Sequence, residues 1–303
     1  MLAGKQGQKG IGMMQPFPFV QAAANAEAQL RLMATTDLHM HLFPFDYLND
    51  RATGATGLAR AAAVVGAMRA GAANSLLLDN GDFLQGSAMG DYIAQERGLS
   101  DTAPHPMILA MNRMGYDAAT LGNHEFNFGV DFLVTAIAGA GFPVVSANLV
   151  TQKGADPGED RTLVPPYCLI DRTLTCADGQ RRPIKIGIIG FLPPQTAQWD
   201  RDALHGRAET RDIVESARAW VPRMRAAGAD LVIALAHSGI GALAHEVGME
   251  NAATALAAEV DVDVVIAGHS HLLFPSAHFN GMPGVDAQAG KLAGKPAVMA
   301  GAC

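Results

Sequence analysis

Cysteine is scarce in this chain, with three in 303 residues: Cys168, Cys176 and Cys303. That number builds no disulfide framework, and none of the three has the spacing of a cysteine-type metal site. Cys168 and Cys176 flank a candidate β-hairpin, so they either pair in an oxidising compartment or remain free thiols. Charge is sparse as well: charged residues make up 17%, and the net charge is −7. No Lys/Arg cluster and no basic stretch interleaved with aromatics occurs. A nucleic-acid duplex is therefore not an expected partner, because neutralising phosphates dominates such binding. A single nucleotide stays open, since one phosphate needs only one good site. No apolar run reaches the length of about 20 residues that spans a membrane. The first 29 residues carry Gly-rich and Ala-rich pieces with Lys5 and Lys9, but no continuous apolar core of signal-peptide type. They are expected to be a leader or a disordered segment, residues 17–28 reading as the tail of an unusual leader.

What the chain does have is apolar residues, 49% of the total, enough for a substantial core. Short apolar runs alternate with helix-like stretches, which predicts an α/β fold. Strands are expected at residues 30–36, 75–78, 117–121, 142–146, 231–235, 263–267 and 297–300. Helices are expected at 57–70, 106–114, 130–138, 210–227 and 251–260, the fourth kinked at Pro222. Residues 167–175 and 184–190 flank Ala177-Asp178-Gly179, an Asp-Gly turn signal for a hairpin. Residues 151–161 read as a surface loop. No internal repeat is present.

The strand ends carry the chemistry. Gly122-Asn123-His124-Glu125-Phe126-Asn127-Phe128-Gly129 follows one predicted strand and precedes a helix. This puts polar side chains at the carboxyl edge of an α/β sheet, where such folds collect ligands. Flanking glycines suggest a backbone that bends sharply or approaches something closely. Four other strand ends repeat the pattern: Asp37 with His39, Asp82, His237, and His269 with His271. A lone His at a strand end is usually just a satisfied polar residue; five clusters in succession are far more specific. Nitrogen and oxygen ligands without sulfur suit Zn²⁺, Mn²⁺, Fe, Co or a similar ion. Residues two apart on an extended backbone point the same way, so Asp-x-His and His-x-His pairs are expected to act together. Two such pairs and a bridging carboxylate hold two ions roughly 3.5–4 Å apart.

The ordered set Asp37-x-His39, Gly81-Asp82, Gly122-Asn123-His124-Glu125, His237 and Gly268-His269-x-His271 resembles the calcineurin-like metallophosphoesterase signature. Within that family the chain is similar to the 5′-nucleotidase group. More narrowly, it resembles the catalytic domain of the bacterial 2′,3′-cyclic-nucleotide 2′-phosphodiesterase/3′-nucleotidases. The added pieces are Thr35-Thr36-Asp37-Leu38-His39, residues 79–87 and Ala236-His237-Ser238-Gly239. The resemblance covers residue 30 to the end and implies a four-layer α/β/β/α sandwich of two mixed sheets with helices outside. It implies a catalytic domain over residues 30–303, lacking the carboxyl-terminal nucleotide-specificity domain of such enzymes, and a periplasmic location. It implies two divalent metal ions, one held by Asp37, His39, Asp82 and His271, the other by Asp82, Asn123, His237 and His269, with Asp82 shared. His124 would be the catalytic residue facing the substrate phosphate of a nucleotide or cyclic nucleotide, with Asn123 beside it.

One departure separates subgroups. Many 5′-nucleotidases resembling this chain have Asp three residues after the catalytic His; here that position is Asn127, which cannot ionise. This favours the cyclic-phosphodiesterase branch over 5′-nucleotidase or UDP-sugar hydrolase activity. A metal-binding but inactive fragment is the rival from another class. Glu125 is expected to have a structural role. His41 is a candidate substrate-binding residue, and Asp46 and Tyr47 are candidates to border the pocket. His105, His205, His245 and His278 are expected to be solvated, and Trp199 to be a packed loop aromatic, with lining of the pocket mouth as the alternative.

Overall fold

The structure is a computed structural model, and it describes residues 26–54, 56–100 and 103–302. The expected leader lies almost wholly outside these residues, as does Cys303. Two sheets form the framework. The first has four strands in the order Arg31–Thr35, Ser75–Asp79, Ala118–Thr120 and Val144–Val145, every pairing parallel. The second has eight strands and is mixed. Its centre runs Arg181–Phe191, Leu231–Ala236, Val264–Ala267 and Lys295–Ala300 in parallel, and Tyr167–Thr175 pairs antiparallel on one side.

The layering follows from the alternation of side chains along each strand. Leu76 and Leu78 face the second sheet and meet Ile186, Ile188, Ile233, Leu235 and Ile266. Leu77, between them, turns outward to a core with Leu58, Val65, Met107, Ile108 and Leu133 from the helices Leu58–Ala70, Pro106–Met114 and Val130–Ile137. On the far side, Val232, Ala234 and Val265 pack against Ala217, Val221 and Leu256 of the helices Ile213–Ala226 and Ala253–Glu259. The central strands are thus buried on both faces, which gives helix, sheet, sheet, helix. The sheets approach closely at Gly190, where a Cβ would stand 2.3 Å from the Val145 carbonyl oxygen.

Local signals explain several boundaries. Pro106 opens its helix, where an N–H would go unbonded, and Gly115 closes it in a left-handed conformation. The hairpin turns where expected, Gly179 donating its N–H to the Cys176 carbonyl at φ 75°. Cys168 and Cys176 are both free thiols, not a bridge. The helix over Pro222 is continuous to Ala226. Residues 151–161 are not a plain loop: Leu149–Gln152 and Arg161–Thr162 pair in a small three-stranded antiparallel sheet with Glu209–Thr210. No helix among the described residues is long and apolar enough to cross a membrane.

Candidate metal centre

Both sheets end at one edge. Asp37 and His39 follow Arg31–Thr35, Asp82 follows Ser75–Asp79, and Asn123 and His124 follow Ala118–Thr120. From the second sheet, His237 follows Leu231–Ala236, and His269 and His271 follow Val264–Ala267. Five of these residues take the left-handed conformation that non-glycine residues usually avoid: Asp37 at φ 52°, His39 at 43°, Asp82 at 60°, His269 at 68° and His271 at 57°. Each such residue costs of order 1 kcal/mol, and such strain collects at functional sites. The extended geometry expected of the Asp-x-His and His-x-His pairs is therefore absent. The backbone curls at each pair instead, and His269 and His271 diverge.

The ligand atoms converge on Asp37 and Asp82. Asp37 Oδ1 lies 3.3 Å from His271 Nε2, 3.8 Å from His237 Nε2 and 3.9 Å from His39 Nε2. His237 Nε2 is 3.0 Å from Asp82 Oδ2, and the Nε2 atoms of His39 and His271 are 3.0 Å apart. Three groups result, each with its ligand atoms within 4.8 Å of one another: Asp37, His39 and His271; Asp37, Asp82 and His237; His39, Asp82 and His124. His269 stands aside from these groups. Its Nε2 is 2.9 Å from Glu250 Oε1, and its ring lies 5.4 Å from that of His237.

The residues fit cations. Asp37 Oδ1, Asp82 Oδ2, Asn123 Oδ1 and His237 Nε2 are buried without a hydrogen-bond partner. Orphaned buried polar atoms usually have a reason, and here Asp37, Asp82 and His237 offer ligand atoms within 4.8 Å of one another. Two imidazoles are also turned for ligation. His237 Nδ1 lies 2.7 Å from the Asn80 carbonyl, and His39 Nδ1 lies 3.1 Å from that of Gln85. A carbonyl only accepts, so Nδ1 carries the proton and Nε2 presents its lone pair to the centre, the usual arrangement of a metal-bound histidine. The electrostatics agree. Burial works against a charged His237, but Asp82 and Asp37 outweigh it and push its pKa up to about 10. Burial would raise Asp82, yet His237, His124 and His39 hold it well below the usual carboxylate range. The carboxylates draw positive charge to this point.

Glu125 fastens the loops that carry the ligands. Its fully buried carboxylate accepts the N–H groups of Asp82 and Gly122 on Oε2, at 2.8 and 2.6 Å, and those of Phe83 and Leu84 on Oε1, at 2.7 and 3.1 Å. Burial pushes its pKa up to about 7, against these donors. The flanking glycines have separate reasons. A Cβ on Gly122 would stand 2.2 Å from Asp82 Oδ1, while Gly129 turns the chain into the next helix at φ 85°. His124 donates its backbone N–H to Asp82 Oδ1 at 2.8 Å, and its ring meets that of His39 edge-on. Asn127 Oδ1 is 2.7 Å from His124 Nδ1, and Asn127 Nδ2 is 2.7 Å from Asp200 Oδ1. Partial burial pushes Asp200 above the ordinary carboxylate value, opposed by the Asn127 bond and the nearby His124.

The remaining expectations divide. His41, with a buried unpartnered Nδ1, lines a cavity of about 410 Å³ together with Asp46, Tyr47, Gln85 and Ser87. Trp199 is not simply packed. It is 47% exposed and stacks on His269, ring centroids 5.5 Å apart and planes inclined by 22°. His105 is not solvated: it is 1% exposed, edge-on to Phe132, and burial pushes its pKa down to about 4. His245 is half-buried, its Nε2 2.9 Å from Asp212 Oδ1, whereas His205 and His278 are exposed as expected.

The chain is similar to known proteins in sequence and in fold. Over 295 residues the chain is 42% identical to the trifunctional nucleotide phosphoesterase protein YfkN of Bacillus subtilis, covering 95% of this chain and 20% of that one. It is 44% identical over 283 residues to the 2′,3′-cyclic-nucleotide 2′-phosphodiesterase/3′-nucleotidase of Salmonella typhimurium, covering 93% of this chain and 43% of that protein. The chain thus spans less than half the length of these relatives. A crystal structure of calcineurin-like phosphoesterase YfkN from Bacillus subtilis superimposes with a TM-score of 0.86 at 42% identity, over 91% of this chain and 82% of that one. The 5′-nucleotidase precursor of Thermus thermophilus is more distant, at a TM-score of 0.61 and 30% identity, over 90% of this chain and 48% of that one. With the calcineurin-like phosphoesterase profile matching residues 30–273, the chain belongs to that family.

Proposed function

We propose that this chain is a dimetal-dependent phosphoester hydrolase whose substrates are 2′,3′-cyclic nucleotides and 3′-nucleotides. The observation that carries it is the convergence of buried ligand atoms from Asp37, Asp82 and His237, within 4.8 Å of one another, at the shared edge of two sheets. The substrate class rests on the relatives named for that activity, 42–44% identical over more than nine-tenths of this chain. Asn127 in place of an ionisable partner for His124 favours this branch over 5′-nucleotidases.

When bound, two divalent cations supply Lewis acidity toward the phosphoryl oxygens and a water nucleophile at neutral pH. The protein's residues do the rest. Asp37, His39, Asp82 and His271 would hold one ion, and Asp82, Asn123, His237 and His269 the other. The Gln85 and Asn80 carbonyls keep His39 and His237 in the ligating tautomer. His124, its Nδ1 proton held by Asn127, turns Nε2 to the substrate, where its imidazolium would stabilise the transferring phosphoryl group and protonate the leaving oxygen. His41 would border the bound nucleotide. No enzyme nucleophile is required. We further propose that residues 30–303 are the catalytic unit, that a carboxyl-terminal specificity domain is its partner, and that it works in the periplasm.

A panel of 2′,3′-cyclic AMP, 3′-AMP and 5′-AMP, with Mn²⁺ and with chelator, tests the reading. Chelator-sensitive hydrolysis of the first two is expected. A preference for 5′-AMP would make it a 5′-nucleotidase, and no turnover of any of the three would support the inactive fragment.

A further inference from the structure

Asn127 stands between His124 and Asp200, 2.7 Å from each. A carboxylate has no proton to give, so the amide must aim its NH₂ at Asp200 and its carbonyl oxygen at His124. An amide oxygen only accepts, so His124 Nδ1 must carry the proton and Nε2 is left for the site. Without Asp200 nothing in this chain of contacts would prevent the amide from flipping, and a flipped amide would present a donor to Nδ1 and reverse the tautomer. We propose that Asp200 is a positioning residue for His124, acting through the Asn127 side chain. The pair of residues does together what one carboxylate would do by direct contact: it fixes the ring with the Nδ1 proton toward Asn127 and Nε2 toward the site. The inference rests on the reading of His124 as the group that faces the substrate.

The surroundings give Asp200 no competing task. It precedes the short helix Arg201–Leu204, but its side chain makes no capping bond there. The local turns are held by backbone contacts, Asp200 N–H to the Thr196 carbonyl at 2.9 Å and Leu204 N–H to the Asp200 carbonyl at 3.0 Å. Asp200 also borders, with Asn127 and Trp199, a cavity of about 360 Å³. Neutral and truncated variants should therefore fold.

Proton accounting supplies the test. In hydrolysis the ester P–O bond breaks and a P–O bond to the water oxygen forms. The leaving oxygen takes the Nε2 proton of the His124 imidazolium, and the proton lost by water restores it. A nucleoside oxygen needs that proton, whereas p-nitrophenolate leaves without it. Asp200→Ala and Asp200→Asn should lower kcat for 3′-AMP by about tenfold or more, the scale seen when a supporting hydrogen-bond partner is removed. KM and metal content should hold, the loss should shrink for phenyl phosphate, and it should nearly vanish for p-nitrophenyl phosphate. The exchange Asn127→Asp with Asp200→Asn keeps both hydrogen bonds, with the carboxylate now on His124, and should restore 3′-AMP turnover. Equal losses on all three esters without rescue by the exchange would make Asp200 merely structural and overturn the proposal. Unchanged Asp200 variants beside an impaired His124→Ala would overturn it too, leaving the role of His124 intact. Full activity in His124→Ala would instead remove the reading on which it rests.

Discussion

The carboxylate of Glu125 accepts the backbone N–H of Asp82 at 2.8 Å, so the residue next to the candidate catalytic histidine holds the candidate bridging ligand in place from 43 positions away. With Gly122, Phe83 and Leu84 also bound, one side chain ties the loops after two adjacent strands. Asp82 can keep a left-handed backbone because its amide and the two that follow are fixed by this one group.

Glu125→Gln tests that tie. Glutamine keeps the shape, but one oxygen becomes an NH₂ set against two backbone donors. Each orphaned buried donor costs about 1–3 kcal/mol. Denaturant unfolding of the metal-free protein should show a loss of roughly 2–6 kcal/mol, and metal affinity should fall because the loops shift. A variant as stable as the parent would show that the four bonds are incidental.

Asp82→Asn bears on the shared-ligand assignment. Asp82 Oδ2 is buried and 3.0 Å from His237 Nε2. A carboxylate between two cations offsets their repulsion, and a neutral amide does not. Elemental analysis should find metal depleted at both positions and hydrolysis abolished. Two tightly held ions in Asp82→Asn would refute the shared role.

How much of this could be read from the sequence depended on distance along the chain. The strand ends were legible because each is an apolar run broken by Asp, Asn or His beside Gly, a local signal. The structure brings those ligand candidates to one sheet edge, with His269 at its margin. Asp200 was not legible as a neighbour of the site: it meets Asn127 across 73 positions, and nothing local marks such a pair. Glu125 was expected to be structural, yet its four donors could not be foreseen, since they arise only when two loops close on it. The left-handed backbone at Asp37 and His39 is likewise a product of tertiary context.

His124→Ala separates ligand from catalyst. Its ring shares one of the three convergent groups, with His39 and Asp82, so geometry alone allows either role. If it faces the substrate, both metals stay and turnover of 3′-AMP drops by on the order of a hundredfold or more. Metal lost along with activity would make His124 a ligand.

The last prediction lies away from the metal centre. His105 is buried against Phe132, and neither ring nitrogen has a hydrogen-bond partner. Burial first, and then the Arg97 charge, push its pKa down from 6.5 to about 4. In the unfolded chain it titrates near 6.5, so between these values the unfolded state binds more protons than the folded one. Stability therefore rises with pH across this window. The contribution is fully present above pH 6.5 and is lost as pH falls toward 4, by at most about 3 kcal/mol. His105→Leu removes the titrating group and two unsatisfied nitrogens while keeping apolar bulk beside Phe132. At pH 7 its stability should match or exceed that of the parent. Between pH 6.5 and 4 it should lose less than the parent by about that same 3 kcal/mol at most, measured by denaturant unfolding at each pH with chelator present throughout. Parallel pH curves for the two proteins would mean that His105 is protonated equally in both states, and that its burial has no bearing on acid stability.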